Sequence, residues 1–111
     1  MEEVQSYWHD FGSTGVSFSL SGRIRLFDLW FSSGRFGEEG KYAEFRNSDV
    51  SGDILFKITN NLNLWGAGTN IILPKGGILF PEGLYVGTDN DATYSTQSFT
   101  TMTLLYQMGG I

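Results

Sequence analysis

The stretch Ser98-Phe99-Thr100-Thr101-Met102-Thr103-Leu104-Leu105-Tyr106-Gln107 decides how this chain is read. Thr100, Met102, Leu104 and Tyr106 alternate with Phe99, Thr101, Thr103 and Leu105, and successive side chains of an extended strand point to opposite faces. Threonine and aromatic residues also suit a pleated, half-buried surface. This is the longest such run in the chain, and it is expected to lie centrally in a sheet. Its inward set reads as Met102, Leu104 and Tyr106; a slip of one residue would turn the other set inward.

The same period recurs upstream. Val16, Phe18 and Leu20 alternate with Ser17, Ser19 and Ser21, after a Gly12–Gly15 turn. Val4–Phe11 offers a strand with Tyr7 and Phe11 on one face and Trp8 on the other. Arg23–Phe31 begins with clean alternation and ends apolar on both sides, as a strand buried on both faces at one end would. Tyr42–Arg46 sets Tyr42 and Arg46 opposite Phe45. Ile54–Thr59 turns Ile54, Phe56 and Ile58 inward and stops at Asn60-Asn61, since Asn tolerates left-handed backbone. Thr69–Leu73 is stopped by Pro74, which cannot donate to a ladder and so belongs at an edge or strand end. Ile78–Phe80 and Leu84–Val86 flank the turn Pro81-Glu82-Gly83. Ser32–Gly40, Asn47–Asp53, Trp65–Gly68 and Thr88–Asp91 read as loops or turns.

Roughly seven to nine short strands about 8–12 residues apart predict an all-β fold: one antiparallel β-sandwich domain over residues 1–111, of jelly-roll type. The expected core is Phe18, Leu20, Leu26, Ile54, Phe56, Ile58, Leu84, Val86, Leu104 and Tyr106. No internal repeat and no linker stands out.

Composition narrows the function classes. Nine Phe, five Tyr and three Trp, 15% of the 111 residues, can fill a small β core, because each ring buries about 150–250 Å². The net charge is −5 and the basic residues do not cluster, so no nucleic-acid partner is expected. An acidic chain does not favour anionic membranes either, and no apolar run is long enough to span a bilayer as a helix. Without Cys there are no disulfides, no thiolate zinc site and no Cys nucleophile. The start, Met-Glu-Glu-Val, does not resemble a signal peptide.

No constellation reads as catalytic, and no cofactor or metal is expected. His9, the one histidine, adjoins Asp10. Neighbours on a strand face opposite ways, and no Gly-x-Ser-x-Gly elbow accompanies them. His9 therefore reads as a surface or terminal residue. Asp89-Asn90-Asp91 opens like a calcium loop, but Thr100 stands where the distal Glu would be needed. Glu38-Glu39 with Glu44 or Asp49 reads as solvated loop charge rather than a glycosidase acid pair. Gly66-Ala67-Gly68 lacks the Lys-Ser/Thr and the helix of a phosphate cradle. Trp65 beside it is either a core residue at the sandwich rim or an anchor for a subunit or ligand.

The segment Ile71-Ile72-Leu73-Pro74-Lys75-Gly76-Gly77-Ile78-Leu79-Phe80-Pro81-Glu82-Gly83-Leu84-Tyr85-Val86-Gly87 and the ending Met102–Gly110 resemble small virion structural proteins of tailed bacteriophages, particularly marine ones. Gly52–Ile58 is similar as well, so the likeness covers about residues 52–110; the N-terminal half carries none. The resemblance implies a capsid decoration (cement), spike or tail-accessory subunit, often trimeric. It also implies a place in the virion, assembled in the host cytoplasm, with copies of itself and the capsid shell as partners. Alternatives are a tail or fibre component, or a carbohydrate-binding module marked by an exposed aromatic row such as Trp65, Trp30 and Tyr85. Aromatics outside the clean strand patterns, Trp8, Trp30 and Trp65, are the interface candidates.

Overall fold

The computed structural model describes residues 3–11, 17–32, 41–60, 68–88, 99 and 101–109. Among these residues nine strands run in order: β1 (Gln5–Asp10), β2 (Ser17–Ser21), β3 (Ile24–Ser32), β4 (Lys41–Asn47), β5 (Ile54–Asn60), β6 (Gly68–Ile72), β7 (Ile78–Phe80), β8 (Gly83–Thr88) and β9 (Thr101–Met108). They form two sheets. Sheet A has the order β1-β9-β3-β6, with β7 also paired to β3; sheet B has the order β2-β8-β4-β5.

Every pairing is antiparallel, and together they describe one long hairpin rolled up. Gln5 pairs with Tyr106, Ser17 with Gly87, Asp28 with Ile72 and Arg46 with Ile54, so partners close in on a tip around Asp49–Ser51. This is the strand order of a jelly roll, in which two packed sheets share one core and few edges stay open. β9 lies inside sheet A, flanked by β1 and β3, as expected, although β3 with nine residues is longer than its eight.

The core lies between the sheets. Phe18, Leu26, Ile58, Leu84, Val86, Leu104 and Tyr106 are buried as expected, joined by Phe11, Ile24, Leu29, Phe31, Phe45, Phe80, Phe99 and Met102. Leu20 and Phe56 are half-buried and pack against this cluster. Ile54 departs from expectation and is 44% exposed. The cause is a β-bulge: Phe45 pairs with Phe56 but Arg46 pairs with Ile54, so Leu55 is an extra residue on β5. One extra residue reverses the alternation beyond it and turns Ile54 to the outer face with Arg46.

A second bulge explains β3. Leu26 pairs with Tyr106 and Asp28 with Leu105, leaving Phe27 as the extra residue. Ile24 and Leu26 face the core before the bulge, Leu29 and Phe31 after it. The apolar end of β3 is therefore not buried on both faces, and Trp30 stands outside. Gly77, with φ +72°, closes the turn that passes this bulge; any Cβ there would collide with the Leu26 carbonyl oxygen. Pro74 follows the end of β6, between two strands that share the β3 edge, as its missing N–H requires.

Candidate functional site

The outer faces of the two sheets differ. On sheet B, β4 and β5 carry an ion-pair cluster: Glu44 lies 2.9 Å from Arg46 Nη2 and 3.9 Å from Lys57 Nζ. The Lys57 ammonium also sits 4.1 Å from the Tyr42 ring centroid. Such groups keep a sheet face wetted and add little stability.

On sheet A, the ladders from β1 through β9 and β3 to β6 line up three outward rows. Trp8, Thr103, Trp30 and Asn70 form the middle row. Ser6, Leu105, Asp28 and Ile72 lie on one side of it, and Asp10, Thr101, Ser32 and Gly68 on the other. Trp8 is 59% exposed and Trp30 40%. Thr103 is directly opposite both, so the two indoles flank one small side chain on the same face.

The polar groups around them are held in place. The Asn70 amide donates to Asp28 Oδ1 (2.8 Å) and to the Leu29 carbonyl (3.0 Å). Asp28 Oδ1 also accepts from the Leu29 N–H at 2.8 Å. The Ser32 and Thr101 hydroxyls lie 2.7 Å apart. No lysine or arginine stands in the three rows, which carry two carboxylates, Asp10 and Asp28.

Beneath this face lies the one histidine, and here the sequence reading needs correction. His9 is buried, not a surface residue. Its ring centroid is 4.7 Å from Phe18 and 4.6 Å from Phe11, with Tyr7 at 6.4 Å. The period of β1 explains this: Tyr7, His9 and Phe11 share the inward face, while Trp8 and Asp10 point out. The adjacent carboxylate therefore does not share the imidazole's face, and His9 is a core aromatic.

Of the interface candidates, Trp8 and Trp30 come together in one row, and Trp65 lies outside the described residues. Tyr85 does not join Trp30: it lies on sheet B, paired with Ser19 and Arg46. Glu44 is engaged by Arg46 and Lys57. Asp49 accepts from the Ser51 hydroxyl (2.7 Å) and N–H (2.9 Å), and these bonds hold its carboxyl below the usual carboxylate range. Glu38, Glu39 and Asp89–Asp91 lie outside the described residues. Among the described residues, no group of three His, Asp or Glu side chains is placed to hold a metal ion, and no helix is long and apolar enough to cross a membrane.

Sequence reasoning missed a second exposed apolar group. Val50 (65% exposed), Ile54 and Leu55 gather where β4 turns into β5. The signal for it was the bulge at Leu55, which only the pairing register reveals. No protein-family profile, curated protein or solved structure matches this chain.

Proposed function

We propose that this chain is a non-catalytic structural subunit of a tailed-phage virion, a decoration or cement protein that stabilises the assembled particle through protein contacts. The observation that carries the reading is the jelly-roll strand order, an architecture used by capsid proteins. Strands β5–β9, which fall within the phage-like segment, supply the partners that close both sheets. That inference from fold is an analogy, and the resemblance over residues 52–110 gives it direction.

In this reading the subunit meets the capsid shell through the Val50, Ile54 and Leu55 end, where the fold leaves apolar side chains in water. It acts with copies of itself, as a trimer, and gains stability from those contacts. Peptide mass spectrometry of purified particles tests the proposal, with immunogold labelling to separate head from tail and fibre. The chain is expected at stoichiometric copy number on the head, and Leu55→Asp is expected to release it while the purified subunit still folds. Absence of the chain from intact particles overturns the reading; tail label moves it to the tail or fibre alternative.

A further inference from the structure

We propose that the outer face of sheet A binds a neutral polysaccharide laid across its strands, with Trp8 and Trp30 stacking on alternate sugar rings. This goes beyond the structural role and does not depend on it. The two indoles flank Thr103 in one cross-strand row. Two strand spacings separate them by roughly 10 Å, which is the separation of every second ring in an extended pyranose chain. An indole face is electron-rich, and the axial C–H groups of a pyranose are its complement. Thr103, between the indoles, is small enough to leave room for the intervening ring and offers a hydroxyl to it.

Charge chooses among ligands. The row ends at Asn70, which is locked to Asp28, and Asp10 lies on the far side. The carboxylates and the Asn70 amide oxygen can accept hydrogen bonds from sugar hydroxyls, and with two carboxylates and no cation in the three rows an anionic ligand is disfavoured there. This disfavours phosphate, nucleic acid and uronic-acid polymers on these rows; Arg25 stands in the next row, beside Gln107 and Leu79, and donates to the Gly76 carbonyl at 2.9 Å. Size favours a narrow ligand over a protein seated on these rows alone. Three rows over four strands span about 14 by 14 Å, or about 200 Å². A stable protein partner needs about 800 Å² on each side. A single glycan strand needs only the row.

The test uses the full chain in affinity electrophoresis through gels holding a neutral glucan, mannan, galactan or xylan, with polygalacturonate as the acidic comparison. Titration calorimetry with the hexasaccharide of any retarding polymer follows. At least one neutral polymer is expected to retard the protein. Trp8→Ala and Trp30→Ala are each expected to weaken hexasaccharide binding at least tenfold, with the melting temperature marking retained fold. Trp8→Phe and Trp30→Phe are expected to recover most of it. Retardation by no neutral polymer, preference for polygalacturonate, or equal retardation of the alanine variants overturns the proposal. So does light scattering in which the wild type self-associates through this face and Trp8→Ala releases monomers that bind no polymer. Presence or absence of the chain in virions changes none of these outcomes.

Discussion

The outer faces of sheets A and B are built on the same two-residue period but carry opposite chemistry. Sheet B keeps charges in water, with Glu44 between Arg46 and Lys57 and the latter over Tyr42. Sheet A keeps two indoles in water beside hydroxyl, amide and carboxylate side chains, with Ile72 also 80% exposed in the flanking row. A sandwich needs only the first kind of face to fold and stay dissolved. Leaving Trp8 and Trp30 exposed forgoes on the order of 2–3 kcal/mol of burial for each ring. That unrealised burial can be recovered only by something that settles on sheet A. The difference therefore separates what maintains the fold from what the fold displays.

The largest effects are expected beneath the two faces. Leu104→Ala under sheet A and Phe45→Ala under sheet B should each lower unfolding free energy by about 3–5 kcal/mol in urea titrations, because both side chains are fully buried in one shared core. A loss under about 1 kcal/mol on either side would mean that the sheets do not share it. The next contrast lies within two adjacent residues. His9→Ala should cost about 2–3 kcal/mol, since the imidazole packs among three aromatic rings, whereas Trp8→Ala on the opposite face should cost about 1 kcal/mol or less. Equal losses would show that Trp8 is structural.

Smaller effects sharpen the picture on sheet B. Glu44→Gln should cost less than about 1 kcal/mol in thermal melts, and the loss should fade near 1 M salt as the ion pairs are screened. The Trp8→Ala effect should show no such salt dependence. The smallest change belongs to the hairpin tip. Asp49 is held below the ordinary carboxylate range by Ser51, so its contribution to stability is present above that range and is lost as pH falls through the lowered value. Ser51→Ala should move the Asp49 titration, followed by NMR, upward toward the ordinary value. No movement would mean that the hydroxyl contributes nothing.

Alternation made much of the core legible, because β2, β8 and β9 keep one parity from end to end. Phe18, Leu84, Val86, Leu104 and Tyr106 could be placed from sequence for that reason. Ile54 could not, and neither could the outward turn of Trp30. Leu55 and Phe27 are ordinary strand residues, and nothing in their chemistry announces that each is an extra residue that reverses parity beyond it. His9 failed differently: the period placed it with Tyr7 and Phe11, and its polarity argued for the surface. The sheet A face was legible only in fragments. Trp8 and Trp30 each stood out, but their common neighbour Thr103 is set by two ladders to the other end of the chain.

The rolled hairpin also governs the order in which the molecule can come into being. On the ribosome β1 emerges first and β9 last, yet β9 is the strand to which β1 is joined and against which β3 lies. β2 similarly waits for β8, and no sheet of the first half can close by itself. The nascent chain must hold β1 and β2 without their partners until β9 and β8 have been made, then settle through contacts distant in sequence, a slow route. A ribosome stalled before β9 would hold every strand of sheet B but a sheet A without the strand that joins β1 to β3.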